Sequence, residues 1–374
     1  VGHSGVGKTK IVEAIRTLRH IAIRADINPT PMTWNIEFEH NDNSYVWEGQ
    51  IDKSVTSTVL LIAGEALKFA RENLWLNGER IIQRQNGALL LNNNPVPQLR
   101  SSESVLSLFA EDPNVVQARH AFLNIAFVPG NEIQHDGSAM RNETQRESLK
   151  ERCAAWIKQR SRSSLDERFV LGAVAALVDA GKDSAALHAF LVRQVFPERF
   201  ATIKDYFCEI FTSIVDVTVD FGSELKDGGN RLVIQLAIKE RGYDQWILQP
   251  QISSGMLRTL LHLFAVDAAL PGAVLVVDEF ENSLGKNCLP HMTDTLLEHI
   301  GEVQFILTSH HPYVISKIPI DCWQLVRRRG STVTLTSARD IPALMDESHH
   351  EAFIRLLNLD EYENGIEPVD GEKS

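Results

Sequence analysis

The stretch from Ala273 to Glu281 reads AVLVVDEFE and decides the fold. Its apolar residues are mainly valine, and they run directly into Asp278 and Glu279. A continuous apolar run of this kind predicts a buried central strand in a parallel sheet. Open α/β sheets bind ligands at this end of their strands, and two adjacent buried acids need a cation or a proton to offset them. The alternative is an ordinary buried strand that ends in an acidic turn.

A second motif lies at the start of the chain, where residues 2–9 read GHSGVGKT and match G-x-x-x-x-G-K-[ST] in full. Glycines let the backbone curl so that its N–H groups point at phosphate. The motif predicts that Lys8 reaches the β- and γ-phosphates of ATP and that the Thr9 hydroxyl ligates Mg²⁺. The predicted nucleotide-binding residues of this phosphate loop are Gly2, Ser4, Gly5, Gly7, Lys8 and Thr9. A chance match in a flexible loop is the alternative.

Helical apolar spacing follows the loop in residues 10–18, so a helix N-terminus is predicted to meet the phosphates. Such a loop needs a strand before it, and we therefore expect that strand upstream of residue 1.

Composition restricts the function classes. Of 374 residues, 44% are hydrophobic and 23% are charged, as in ordinary globular proteins of one large or two to three smaller domains. The net charge of −12 argues against a generally basic nucleic-acid binder, although a local basic patch is compatible with it. No apolar run reaches membrane-spanning length and no signal peptide is visible, so we expect a cytoplasmic protein without membrane contact. The four cysteines form no CxxC pair, which predicts reduced thiols.

An antiparallel β-region is predicted after the phosphate loop. Residues 33–51 are typical of two strands joined by a turn at Asn41 to Asn43. The segment from Val59 to Leu76 has partly helical spacing, and a hairpin-like stretch follows to about residue 91.

Two further elements are predicted before residue 137. Residues 101–109 have the pattern of a helix start with a serine cap, and residues 122–128, FLNIAFV, of a buried strand. Gln134 lies just beyond, where it is either a contact of Mg²⁺ or of the attacking water, or an exposed loop residue.

Residues 137–205 differ from the preceding segments, because they are densely charged and their apolar residues follow helical spacing. We predict a helical insertion that carries Lys158, Arg160, Arg162 and Arg168. A solvated helical face is the favoured interpretation, and contact with phosphates or an acidic partner is the other. Strands are predicted again at 214–221 and 231–240.

Residues 252–260 read ISSGMLRTL and open an apolar helix. The serines are either an ordinary cap, on Ser253 or Ser254, or part of an anion site at the helix N-terminus. Further on, VQFILTSHHPYVI predicts a strand from Val303 to Thr308 that ends near His310. A histidine there is either structural or a hydrogen-bond partner of the γ-phosphate.

The order of these segments resembles the ABC-type ATPases of the SMC/RecF group. More narrowly, it resembles the ATPase domain of overcoming-lysogenization-defect (OLD) proteins and related standalone ATPases of bacterial phage-defence systems. The resemblance is carried by GHSGVGKT (2–9), ISSGMLRTL (252–260), VLVVDEFENSL (274–284) and LTSHHPYVI (307–315). Phe280 stands where a proline is common in this group.

The resemblance implies residue roles. Asp278 positions Mg²⁺ together with Thr9, Glu279 polarises the attacking water, and His310 senses the γ-phosphate. The residues of the signature segment (252–260) that reach the nucleotide of a second protomer are Ser253, Ser254 and Gly255. The implied enzyme is an Mg²⁺-dependent ATPase that forms at least a dimer.

The resemblance also implies a partner. OLD proteins carry a Toprim nuclease domain after the ATPase, and the chain after His310 is too short for one. We therefore expect a separate effector, a Toprim or HNH-type nuclease, in a PARIS-type or Septu-type anti-phage system. A DNA-repair ATPase of the RecF/SMC type that binds DNA directly is the alternative, which the acidic net charge disfavours.

The predicted fold class is α/β: a P-loop NTPase of ABC type with a mixed central sheet, an antiparallel β-region and a helical insertion. The predicted domains are an ATPase lobe at 1–136, the insertion at 137–205, and a second ATPase lobe with the C-terminal tail at 206–374.

Overall fold

The computed structural model describes residues 1–2, 5–23, 31–52, 68–85, 87–97, 100–128, 138–140, 143–160, 185–226, 229–267, 269, 271–345, 349–359, 362 and 366–367. By contacts the chain divides into two units, one of Val1–Val12 with Ala126–Ser374 and one of Glu13–Ile125. The three domains predicted from the sequence, 1–136, 137–205 and 206–374, stay a prediction.

Helices and strands alternate irregularly along the chain. The α-helices are α1 Lys8–Ile23, α2 Val105–Leu108, α3 Pro113–Leu123, α4 Glu143–Arg160, α5 Ala185–Val195, α6 Pro197–Ile210, α7 Ser254–Asp267, α8 Cys288–Glu298, α9 Pro312–Lys317, α10 Pro342–Met345 and α11 His349–Asn358. The strands are β1 Met32–His40, β2 Asn43–Asp52, β3 Lys68–Leu76, β4 Glu79–Gln85, β5 Ala88–Leu91, β6 Asn94–Pro95, β7 Ile125–Phe127, β8 Ser138–Met140, β9 Ile214–Lys226, β10 Gly229–Glu240, β11 Ile247–Leu248, β12 Val274–Val277, β13 Gln304–Leu307, β14 Gln324–Arg329, β15 Thr332–Ser337 and β16 Ile366–Glu367.

The unit of residues 13–125 is built on an antiparallel sheet with the strand order β1-β2-β3-β4-β5-β6. The turn predicted between β1 and β2 is present, with Asn41 and Asp42 at positive φ of 49° and 61°. Trp34 pairs with Gly49 across these strands, and a Cβ on Gly49 would lie 2.1 Å from the Trp34 ring. The glycine is therefore needed to let the indole cover the sheet.

The partly helical spacing predicted up to Leu76 was wrong for residues 68–76, which form β3. Two polar residues on this strand, Glu72 and Asn73, are buried, and they break the alternation that would have indicated a strand. Glu72 is accommodated because it accepts hydrogen bonds from Trp47 Nε1, Ser104 Oγ, Arg84 Nη1 and the backbone of Val105. The predicted serine cap is Ser104, at the start of α2.

The buried strand predicted at 122–128 was too long. Helix α3 runs through Phe122 to Leu123, and only Ile125–Phe127 form a strand. Asp112 caps this helix, and Pro113 occupies its first position, where its fixed φ suits a helix. The buried side chain of Phe122 therefore belongs to a helix and not to a strand.

In the other unit, β12 and β13 pair in parallel, as predicted for the run that ends at Asp278. Strand β7 pairs on the other side of β12. A second sheet contains the predicted hairpin of β9 and β10, extended by β8 and β11. The mixed central sheet stays a prediction, because among the described residues these strands form separate sheets.

The predicted helical insertion includes α4, α5 and much of α6, with Lys158 and Arg160 on α4. Arg162, Arg168 and Gln134 lie outside the described residues. Helices α5, α6, α7 and α8 bury their apolar faces in one core with β9, β10 and β12. This core places the start of α7 and the end of β12 in the same unit.

This unit contains a third sheet, with the strand order β15-β14-β16. The backbone of Val1 pairs with β14, because its amino group donates to Gln324 and its carbonyl accepts from Val326. The basic run Arg327 to Arg329 lies on β14, where Arg327 and Arg328 are half-buried.

All four cysteines are free thiols, and burial raises the pKa of Cys153 to about 11. Within the part of the chain that the structure describes, every helix is too short or too polar to cross a bilayer.

Candidate functional site

The two parallel strands β12 and β13 end at one edge, and their ends are joined through Thr308. The Thr308 hydroxyl donates to Oδ1 of Asp278 and accepts the backbone N–H of Glu279 at 2.7 Å. Backbone bonds continue the pairing, from Thr308 N–H to the Val277 carbonyl at 2.9 Å and from Phe280 N–H to the Thr308 carbonyl at 3.0 Å. The acid pair is therefore held by the neighbouring strand.

Glu279 is held in an unusual backbone conformation. Its φ is +47°, in the left-handed region that costs a non-glycine residue about 1–2 kcal/mol. Nη2 of the buried Arg258, on α7, donates to the carbonyls of Asp278 and Glu279 at 3.0 and 2.9 Å. The Glu279 carboxylate accepts from Asn282 Nδ2 at 2.7 Å. These bonds stabilise a turn that would otherwise be strained, which is typical of functional sites.

The phosphate loop approaches the C-terminal hairpin of β14 and β15 closely. Its glycines have positive φ, of 152° at Gly2, 84° at Gly5 and 105° at Gly7. A Cβ on Gly2 would lie 2.9 Å from the Val326 carbonyl, and one on Gly7 would lie 2.7 Å from Val333 Cγ2. Glycine is required at Gly2 and Gly7 by space as well as by φ. Ser4 lies outside the described residues.

Lys8 connects the loop to the acids. Its Nζ donates to the Gly2 carbonyl at 2.6 Å. Burial lowers the pKa of Lys8, while the negative charges of Glu281, Asp278 and Glu279 act in the opposite direction. The structure therefore brings the phosphate-loop lysine and the acid cluster together in one site.

A third acid, Glu281, binds His310. Glu281 Oε1 lies 2.8 Å from His310 Nδ1 and accepts the His310 backbone N–H at 2.9 Å. The second oxygen, Oε2, is buried and has no hydrogen-bond partner among the described residues. His310 thus lies at the same strand edge as the acids.

The signature segment begins with the helix cap. Ser253 Oγ accepts the backbone N–H of Met256, so Ser253 rather than Ser254 is the cap of α7. Both serines are exposed. A Cβ on Gly255 would lie 3.0 Å from the carbonyl of Ser283, so the start of α7 touches the turn that follows the acids.

His262 lies one turn beyond Arg258 on α7, inside the protein. Its ring stacks on Phe280, with the centroids 5.4 Å apart, and neither ring nitrogen has a hydrogen-bond partner among the described residues. Burial, with a smaller effect from Arg258, lowers the pKa of His262 to about 3. The imidazole is therefore neutral at physiological pH and supports Phe280 as an aromatic packing partner.

The oxygen-bearing residues fit Mg²⁺. This ion prefers carboxylate, hydroxyl, phosphate and water oxygens, and it usually keeps only one or two protein carboxylates. Asp278 and the exposed Thr9, the second residue of α1, offer such oxygens. Within the described ranges no group of three or more His, Cys, Asp or Glu side chains forms a cage for a metal ion. A shared Mg²⁺ between Thr9 and Asp278 stays a prediction.

Sequence reasoning therefore named most of the residues that lie together here: Lys8, Asp278, Glu279 and His310. It did not assign a role to Glu281, Thr308, Arg258 or Asn282. All four lie inside the quoted motif segments, but the roles of three of them, Glu281, Thr308 and Arg258, depend on contacts 20 to 30 positions away in sequence. The roles of Ser253, Ser254 and Gly255 at a second protomer stay predictions.

The glycine cradle, its lysine and the facing acids at the end of a parallel strand define a P-loop ATPase. A family model described as "AAA domain, putative AbiEii toxin, Type IV TA system" matches residues 43–316. Because this match covers more than half of the chain, the protein belongs to that family.

Solved structures of low sequence identity also resemble the chain. The SMC head domain from Thermotoga maritima is 13% identical, with a TM-score of 0.37, and the alignment covers 90% of this chain and 88% of that one. The Smc head domain derived from Pyrococcus furiosus, with an extended coiled coil and bound to the C-terminal domain of ScpA, is 15% identical, with a TM-score of 0.40 and coverages of 92% and 91%. A search of curated proteins finds no match.

Proposed function

We propose that the chain is an Mg²⁺-dependent ATPase of ABC type, which converts ATP and water to ADP and phosphate. One arrangement carries the proposal: a glycine loop at positive φ, whose Lys8 bonds the Gly2 carbonyl, belongs to the same unit as an acid pair that Thr308 fixes at the end of a parallel strand. A lysine and three acids in one partly buried site suit a triphosphate with its metal ion, because each charge then has a counter-charge.

The phosphate loop binds the nucleotide. Backbone N–H groups of the loop and of the first turn of α1 point at the phosphates, and Lys8 exchanges its bond to the Gly2 carbonyl for a phosphate oxygen. Thr9 and Asp278 hold Mg²⁺, which offsets phosphate charge when bound. Thr308 keeps Asp278 oriented for this role through its hydroxyl.

Glu279 orients and polarises the attacking water. Its backbone is fixed by Arg258 and Thr308, and its carboxylate by Asn282, so the carboxylate position is set before the water binds. His310 meets the γ-phosphate from the end of β13. Preorganised groups of this kind lower the barrier because little reorganisation remains at the moment of reaction.

The active form is a dimer that closes across nucleotide. Ser253 and Ser254 are exposed at the N-terminus of α7, where hydroxyl and N–H groups favour an anion. These serines and Gly255 bind the γ-phosphate held by a second copy, so that ATP joins the two subunits and hydrolysis releases them.

In the cell, the ATPase controls a separate effector, a nuclease of Toprim or HNH type, in anti-phage defence within the cytoplasm. The family description, which names a toxin of a type IV toxin–antitoxin system, supports a role in such a two-component system. Direct DNA binding in repair is disfavoured by the net charge of −12, and Arg327 and Arg328 are half-buried on β14.

Glu279→Gln tests the ATPase. The variant is expected to bind ATP but to turn it over about a hundredfold or more slowly, because an amide cannot take up the proton of the water. Steady-state turnover measures hydrolysis, titration with nucleotide measures binding, and light scattering with ATP measures dimerisation. The variant is expected to accumulate as a dimer. Equal turnover by the wild type and Glu279→Gln would show that the active-ATPase proposal is wrong. Strong, salt-sensitive binding to duplex DNA would favour the repair function instead.

A further inference from the structure

Glu281 binds His310 twice through one oxygen. Oε1 lies 2.8 Å from Nδ1 of the ring and accepts the backbone N–H at 2.9 Å. The Glu281 side chain is 8% exposed and that of His310 is 57% exposed, so a buried acid holds an exposed ring. The bond to the backbone N–H fixes the position of the His310 main chain, and the bond to Nδ1 fixes the orientation of its ring.

This contact selects one tautomer of His310. A carboxylate only accepts hydrogen bonds, so Nδ1 must carry a proton. Nε2 is then the ring nitrogen that meets a ligand, as an acceptor in the neutral ring and as a donor in the imidazolium ion. Without Glu281, either nitrogen can carry the proton and the exposed ring is free to rotate.

Glu281 also belongs to the phosphate end of the site. Among the three acids that act on Lys8, Glu281 has the largest effect. Glu279, in contrast, directs a carboxylate oxygen to Asn282. The two acids therefore have separate partners, and the histidine is the partner of Glu281.

We propose that Glu281 is the positioning residue that presents Nε2 of His310 to the terminal phosphate of a bound nucleoside triphosphate. The inference rests on the proposed ATPase function and adds to it a carboxylate–histidine pair that is distinct from the water-polarising Glu279.

Kinetics of four variants test the pair. Glu281→Ala is expected to lower kcat about as far as His310→Ala, with KM for ATP changed less than twofold. The double variant is expected to be no slower than His310→Ala, because Glu281 acts through the histidine. Glu281→Gln keeps an acceptor oxygen and is expected to recover most of kcat. Glu298→Ala, which removes an exposed acid on α8, is the matched control and is expected to match the wild type.

Nitrogen NMR of labelled histidine provides a readout that needs no turnover. The wild type is expected to show His310 with the proton on Nδ1, and Glu281→Ala to show a mixture or the Nε2 form. An Nε2-protonated His310 in the wild type would overturn the inference, as would wild-type kcat in Glu281→Ala or a double variant slower than His310→Ala. Wild-type turnover by Glu279→Gln would overturn the proposed function alone, since the tautomer measurement does not depend on it.

Discussion

Thr308 donates the hydrogen bond of its hydroxyl to Oδ1 of Asp278. Because the same hydroxyl accepts the backbone N–H of Glu279, one small side chain on the neighbouring strand fixes both acids. The geometry of the acid pair is thus a property of the parallel sheet rather than of the acidic turn alone.

Thr308→Val is expected to reduce ATP turnover about ten- to hundredfold, since it leaves the Glu279 N–H without its acceptor at a cost of about 1–3 kcal/mol. Steady-state turnover and thermal unfolding measure the two effects. Thr308→Ser keeps the hydroxyl and is the matched control. Wild-type turnover in Thr308→Val would show that the hydroxyl does not position the acids.

Gly5 and Gly7 offer a comparison of strain with steric clash. Both have positive φ, but a Cβ on Gly5 meets nothing within 4 Å, whereas one on Gly7 lies 2.7 Å from Val333. Gly5→Ala is expected to cost about 1–2 kcal/mol through strain alone. Gly7→Ala is expected to cost more and to abolish measurable nucleotide binding.

Titration with a fluorescent ATP analogue, together with denaturant unfolding, measures both glycine variants. Adding Val333→Ala to Gly7→Ala is expected to restore the part of the stability and of the nucleotide affinity that the clash removes. Equal losses in Gly5→Ala and Gly7→Ala would contradict the close approach of the phosphate loop to β15.

His262 is expected to make stability depend on pH. Its pKa is lowered from 6.5 to about 3, so the unfolded chain binds a proton below about pH 6.5 that the folded chain does not bind until about pH 3. Stability therefore falls as the pH decreases through this window, by at most about 1.4 kcal/mol per pH unit from this group.

Urea unfolding at pH 7 and pH 5 measures this dependence. His262→Phe keeps an aromatic ring against Phe280 and is expected to remove this part of the slope. His291→Gln, on the exposed side of α8, is the control and is expected to leave the slope as in the wild type. Identical slopes in the wild type and His262→Phe would contradict the burial of a neutral imidazole.

The buried ion pair of Glu72 and Arg84 is expected to be the most sensitive polar contact of the antiparallel unit. Arg84 is 5% and Glu72 is 0% exposed in their side chains, and they are 3.2 Å apart. Glu72→Gln is expected to destabilise the protein by about 3–5 kcal/mol, because the guanidinium stays buried without its counter-charge.

Denaturant unfolding of the full chain measures this cost. The double variant Glu72→Gln/Arg84→Met removes the buried charge and is expected to recover part of the loss, since the one amide oxygen of glutamine can still accept the bonds that Trp47 and Ser104 donate to Oε1. Arg100→Gln, in an exposed pair with Glu103, is expected to change stability far less. A loss in Glu72→Gln no larger than in Arg100→Gln would contradict the prediction.

Local patterns predicted the elements whose signals lie within a few residues. The apolar run before Asp278 indicated a buried parallel strand, and the Asn41–Asn43 turn indicated a hairpin; both are present. The strand at residues 68–76 was not predicted, because Glu72 is buried by hydrogen-bond partners from three other segments, and no local pattern reveals them. The strand predicted from Phe122 was wrong because the helix signal, Asp112 with Pro113, lies ten and nine residues upstream.

The candidate site was predictable in its residue types but not in its connections. The phosphate-loop motif predicted Lys8, and the acidic end of a buried strand predicted Asp278 and Glu279. The pairing of Glu281 with His310 joins residues 29 positions apart, and it exists only because β12 and β13 end side by side. Tertiary register, which one sequence does not encode locally, decides such contacts.

The close approach of Gly7 to Val333 has a consequence for biosynthesis. A ribosome makes the phosphate loop among the first residues of this sequence and makes β15, which supports it, more than three hundred residues later. At roughly 5–20 residues per second, the loop waits tens of seconds for that support. We therefore expect the phosphate loop to gain this support only after the hairpin of β14 and β15 has been synthesised.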